Sequence, residues 1–268
     1  MPVNYEYNTI TEVPGLMASG EQLERLYQRY RFALDYARNG DVLEVACGSG
    51  IGLGYLTQTA RSVVGGDIDE KNLTIAQEIY GLNASNRSGT EKKVDIVCLD
   101  AHNLQFPDGS FDLVLLYEAL YYLSNPVQFI AESARVLRAD GTLIICMVNK
   151  DWADFHPSLY SHSYYSVPEL HALIRGTFKH VELYGAFPTR VSGKLGHSVS
   201  LIKRLANRLH LIPGSLKARV YLKRLFLGPL VPLPEKISGG MCIYAPPVPI
   251  AADVVNTDYK IIYAVGKR

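Results

Sequence analysis

The stretch DVLEVACGSGIGLGYL, residues 41–56, decides the fold. An apolar run from Val42 to Cys47 carries a single acid, Glu44, and opens into a loop with glycine at 48, 50, 52 and 54. A short run of this kind reads as a strand of a parallel sheet, covered on both faces. Glycines at its carboxyl end let the backbone approach a ligand with no Cβ between. Ligands of open parallel sheets bind in the crevice beyond those ends. The loop does not carry the dinucleotide pattern: counted from Gly48, the last position of G-x-G-x-x-G is Leu53. Glu44 would also repel a pyrophosphate, whereas it suits a ligand's ammonium group.

Outward from this stretch, strands and helices alternate. Strands are expected at 41–47, 62–67, 94–99, 111–117 and 142–148, with helical stretches near 51–60, 70–80, 124–138 and 167–176. Before them, residues 21–38 place Leu23, Leu26, Tyr27, Tyr30, Leu34 and Ala37 at helical spacing, and Asn39-Gly40 ends the helix. After them, 179–187 and 259–267 read as two more strands. Two basic helical stretches, near 198–210 and 215–227, and a proline-rich stretch lie between. The expected class is a doubly wound α/β fold.

The chain has 268 residues, 48% apolar and 20% charged, with net charge +1, so its balance does not point to nucleic acid. No run of apolar residues is long enough for a transmembrane segment, and MPVNYEYNTITEV lacks the pattern of a secretory signal. Cys47, Cys98, Cys146 and Cys242 are far apart and have no metal-ligand spacing. They read as free thiols of a cytoplasmic protein, and no metal is expected.

Two further acids end strands. Asp67 could accept hydrogen bonds from both hydroxyls of a ribose. Asp100, beside Ala101, could accept from an exocyclic adenine amine. With Glu44 they describe an adenosine joined to an amino-acid-like tail and no phosphate.

The blocks VLEVACGSG (42–50), VVGGDIDEKNL (63–73), LDAHNLQFPDGSFDLVLL (99–116) and VLRADGTLII (136–145) resemble, in order and spacing, those of the class I S-adenosylmethionine-dependent methyltransferases. The resemblance implies a Rossmann-like, seven-stranded, mostly parallel sheet with an antiparallel last strand. The single domain would comprise an N-terminal helical cap (1–38), a cofactor-binding core (39–150), an acceptor-pocket or lid region (151–178) and a basic helical insertion between strands six and seven (188–257). It implies S-adenosylmethionine as cofactor and S-adenosylhomocysteine as product. Glu44 and the backbone at Ala46, Gly48 and Gly50 would hold the methionine moiety. Asp67 would hold the ribose, with Ile68 against the adenine and Asp100 and Ala101 at its edge. Tyr117 would lie near the sulfonium. Arg29, on a helix that closes over the cofactor, would meet the methionine carboxylate, with Tyr30 beside it; an exposed helix arginine is the alternative.

Transfer to a hydroxyl needs a base. Glu118 follows the fourth strand and faces either the cleft or solvent. NKDWADFHPSLYSHSYYSVPEL (149–170) is rich in His and Tyr and holds the single Trp, so His156 and His162 are base candidates, with surface histidines as the other reading. Tyr121, Tyr122, Asn149, Trp152 and Tyr164 are candidates for the acceptor's walls. From Leu183 to Pro234 no acid occurs, while Arg190, Lys194, Lys203, Arg204, Arg208, Lys217, Arg219, Lys223 and Arg224 do. This stretch reads as a lid over an anionic acceptor, a homodimer surface, a membrane-facing surface, or merely solvated helix faces. The expected function is methylation of a small molecule, at a sugar or secondary-metabolite hydroxyl. The weaker match to sugar O-methyltransferases of bacterial biosynthetic clusters points the same way. The alternatives are a quinone or polyprenoid methyltransferase at a membrane surface, and a non-catalytic cofactor-binding module.

Overall fold

The apolar runs expected as strands at 41–47, 62–67, 94–99, 111–117 and 142–148 each correspond to a strand, because alternate side chains of each one find a packed layer on either face. In the computed structural model, residues 11–81, 94–158, 160–189 and 229–268 are described. The order is β1 (Met17–Ser19), α1 (Gly20–Ala33), β2 (Asp41–Val45), α2 (Leu53–Leu56), β3 (Ser62–Asp67), α3 (Glu70–Ile79), β4 (Val94–Cys98) and β5 (Phe111–Tyr117). Then follow α4 (Pro126–Val136), β6 (Leu137–Val148), α5 (Val167–Arg175), β7 (His180–Pro188), β8 (Leu230–Pro232), β9 (Val248–Pro249) and β10 (Tyr259–Lys267).

The main sheet runs β4-β3-β2-β5-β6-β10-β7-β9. Strands β4 to β6 are parallel. Strand β10 is antiparallel to both neighbours, pairing Tyr263 with Cys146 and with Tyr184. The seven strands implied by the resemblance are all present, and the two-residue β9 extends the β7 edge. Strand order reverses at β2, with β3 and β4 on one side and β5 and β6 on the other, so the ligand crevice opens at the carboxyl ends of β2 and β5.

Each face of the sheet carries its own core. Val42, Leu113, Leu115 and Ile144 pack with Leu26, Tyr27 and Tyr30 of α1. Leu43, Val45, Val114 and Leu116 pack with Phe129 of α4 and Leu170 of α5. Glu44, two residues from Val42, therefore points to the α1 face. That parity brings an acid of β2 to a tyrosine of α1.

Some bounds differ from expectation. Helix α1 ends at Ala33, and turns carry the chain to Asn39, at φ 57°. A full turn at its start is fixed by a capping box, in which Gln22 N–H donates to Ser19 Oγ (3.2 Å) and Ser19 N–H to Gln22 Oε1 (3.0 Å). Helix α2 is only Leu53–Leu56, since Gly52 and Gly54 leave little helix propensity. Strand β6 begins directly after α4, five residues before the expected 142, with a register shift between Phe111 and Leu113 on β5. The helical stretch expected near 167–176 is α5, with Ser166 as its N-cap. The two basic helices expected near 198–210 and 215–227 lie outside the described residues. The described remainder of that insertion supplies β8, which pairs antiparallel with β1, and β9.

Candidate active site

A cavity of about 700 Å³ opens at the switch point. Its floor is the loop after β2, which turns on left-handed residues: Ala46 at φ 56°, Gly48 at 57° and Gly50 at 73°. Glycine removes the steric cost at two of these. Asp67, at the end of β3, ties the loop to the neighbouring strand. Its Oδ2 accepts from Gly48 N–H (2.8 Å) and its Oδ1 from Asp69 N–H (2.9 Å). Burial raises its pKa, opposed by these two donors. The Asn72 side chain is a third donor to this carboxylate. Asp69 itself caps α3, accepting from Lys71 N–H (2.9 Å).

Glu44 is 1% exposed. Tyr30 Oη donates to its Oε1 at 2.6 Å, while its buried Oε2 has no partner among the described residues; Glu44 is one of the residues lining the cavity. Burial pushes Glu44 up to about 8. A buried oxygen left without a donor is costly unless a ligand supplies one. Arg29 is buried beside it, with Glu12 as its ion-pair partner and its Nε unpaired among the described residues. Tyr117 Oη donates to Arg29 O (3.0 Å), and the Tyr117 ring meets Tyr30 edge-on at 5.3 Å.

At the other end Ile68 is 55% exposed on the cavity wall, an open apolar shelf. Ala101 and Leu99 lie on the same wall. Asp100 is partly engaged: its Oδ1 accepts from His102 N–H (2.8 Å) and lies 2.8 Å from His102 Nδ1. Across the cavity Glu118 sits at φ 52°, a strained conformation for a residue with a Cβ. Its Oε2 accepts from Tyr121 Oη (2.9 Å) and Val148 N–H (3.2 Å), and burial raises its pKa. Tyr121 stacks on Tyr164 at 4.5 Å, and Tyr122, Tyr164 and His156 complete this wall.

Three candidates lie elsewhere, because composition does not say which way a loop side chain turns. His162 is exposed and off the cavity wall; among the described residues its N–H donates to Tyr121 O (2.7 Å). Asn149 is fully buried and structural: its Nδ2 donates to Asn256 O (2.7 Å) and Tyr259 O (2.8 Å). Trp152 sits off the wall between Arg25 (5.8 Å) and Lys260 (5.2 Å). Conversely, Thr11, Glu12, Gln22, Arg25, Asn72 and His102 line the cavity and were not anticipated. Asn72 alone had a signal: it lies one turn before Ala76 on the buried face of α3.

The cavity thus joins an unpartnered buried carboxylate oxygen on Glu44, a loop that admits backbone contact, the Asp67 carboxylate and the apolar shelf of Ile68. The class is thus a doubly wound α/β protein with a cavity at its topological switch point. Residues 43–145 match the family model described as a methyltransferase domain. A protein of Mycolicibacterium smegmatis named "Probable S-adenosylmethionine-dependent methyltransferase" is 29% identical over 52% of this chain and 49% of its own. The phthiotriol/phenolphthiotriol dimycocerosates methyltransferase 1 of Mycobacterium ulcerans is 37% identical over 44% of this chain and 38% of its own. The chain thus spans half or less of the length of these curated relatives. The crystal structure of a SAM-dependent methyltransferase from Thermotoga maritima aligns over 92% of this chain and 91% of its own, with TM-score 0.53 and 14% identity, a likeness of fold. The likeness to methyltransferases is thus carried by residues 43–145, less than half of the chain.

Proposed function

We propose that this chain transfers the methyl group of S-adenosylmethionine to a hydroxyl of a small-molecule acceptor. The observation that carries the reading is Glu44 on the cavity wall, whose buried Oε2 has no partner among the described residues and would take an ammonium group at the end of a nucleoside-sized cleft. Bound S-adenosylmethionine supplies a methyl already activated on a sulfonium. Glu44 would hold the amino-acid tail, Asp67 the ribose and Ile68 the adenine face. Tyr117 and Tyr121 would exclude water from the reacting end. The acceptor's proton needs a base, and Glu118 suits that role: it lies on the wall, burial raises its proton affinity, and Tyr121 orients it. His156 is the second candidate on that wall. A hydroxyl acceptor agrees with the triol in the name of the Mycobacterium ulcerans relative.

Labelled-methyl transfer into a panel of sugar, phenol and polyol acceptors tests this reading. With any acceptor that turns over, Glu118→Gln should lower kcat about 10²–10⁴-fold at saturating cofactor and remove the acidic limb of the pH profile, while His156→Ala should leave that limb in place. Methylation with an unchanged profile in Glu118→Gln would remove Glu118 from the proton path. Cofactor binding without transfer to any acceptor would leave a binding module.

A further inference from the structure

Thr11 and Glu12, the first described residues, sit inside the cleft. The Thr11 methyl lies 2.7 Å from where a Cβ on Gly48 would stand, so this pair rests flush on the loop backbone. Ser49 Oγ donates to Glu12 O (2.7 Å), and Asn72 Nδ2 donates to Thr11 Oγ1 (3.2 Å). Four residues on, Gly15 and Leu16 bond to Leu233, and β1 pairs with β8, so the pair adjoins an anchored base. The Glu12 carboxylate pairs with Arg29, whose side chain is 7% exposed. A buried guanidinium requires a counter-carboxylate. Arg29 and Glu44 line one cavity, and together they complement a zwitterion.

We propose that Glu12 holds, in the free protein, the place of the ligand's α-carboxylate on Arg29, and that cofactor loading exchanges one carboxylate for the other as the Thr11–Glu12 segment leaves the loop. This rests on the reading that the cleft takes S-adenosylmethionine. The exchange makes Glu12 an internal competitor for ligands that carry the amino-acid tail, and neutral toward nucleosides that lack it. Arg29 is never left bare.

The test is calorimetry of the full chain and of Glu12→Gln and Glu12→Asp with two probes, S-adenosylhomocysteine and 5′-methylthioadenosine. The second probe has no amino-acid tail. Thermal midpoints of the unliganded variants confirm that each is folded, and Glu12→Asp keeps the charge on a shorter arm. The expected result is that Glu12→Gln binds S-adenosylhomocysteine roughly 5- to 150-fold more tightly than the wild type, Glu12→Asp falls between, and 5′-methylthioadenosine affinity does not change. Unchanged or weakened S-adenosylhomocysteine binding in Glu12→Gln overturns the exchange, and so does an equal gain for both probes, which would mean a steric cover only. If neither probe binds the wild type or the variants, the cofactor reading itself falls. Binding of both probes without the selective gain strikes the exchange alone.

Discussion

Glu44 is the residue on which the site turns. The period-two alternation of β2 sends it to the face covered by α1, where Tyr30 occupies one oxygen and the other has no partner among the described residues. Burial pushes it up to about 8, so it is mostly neutral in the free protein at pH 7. A neutral amide of the same shape should therefore leave the free fold's thermal midpoint near that of the wild type. It cannot, however, become the carboxylate that a ligand ammonium selects. Glu44→Gln should weaken S-adenosylhomocysteine binding by about 1.5–3 kcal/mol, the value of a hydrogen bond to a charged group, and leave 5′-methylthioadenosine unaffected. Equal losses for both ligands in a calorimetric titration would move the ammonium seat away from Glu44.

The elements that present these residues are held by close approaches that glycine allows. A Cβ on Gly52 would lie 2.0–2.2 Å from three carbons of the Tyr30 ring, and that ring is itself buried between α1 and Tyr117. Gly52→Ala should cost about 1–3 kcal/mol by overpacking, read as a lowered midpoint in urea with an unchanged slope; a wild-type midpoint would show that α1 shifts freely. The parallel strands were legible because both faces of each are covered, so their sequences are almost wholly apolar and acids stand out within them. Glu44 and Asp67 were found for that reason. The β1–β8 ladder and the Thr11–Glu12 segment were not legible. Leu230 reaches Ser19, and Glu12 reaches Ser49 and Arg29, across long separations with no local motif. His162, Asn149 and Trp152 show the same limit from the other side: a loop's composition marks a region and leaves the direction of each side chain undecided. The end of α1 at Ala33 was missed because Leu34 and Ala37 stay buried in turns and so preserve the helical spacing in the sequence.

Across the whole molecule the proposed site would couple ligand binding to protons. The fold raises Glu44 from 4.5 to about 8, so between those values the free protein binds more protons than the unfolded chain. The stability linked to that proton is fully present below about 4.5 and is lost as pH rises through about 8. A ligand ammonium reverses the preference by selecting the ionised carboxylate. The affinity for S-adenosylhomocysteine should therefore rise with pH from about 6 to about 7.5, by up to roughly tenfold per unit. Binding at pH 7 should release close to one proton. Calorimetric titration of the full chain with S-adenosylhomocysteine at pH 7, in two buffers of different ionisation enthalpy and alongside NAD, measures site, charge and ligand class together. The account predicts one site for S-adenosylhomocysteine, a buffer-dependent heat corresponding to that released proton, and no comparable binding of NAD. Failure of S-adenosylhomocysteine to bind, or tight binding of NAD in its place, would contradict it.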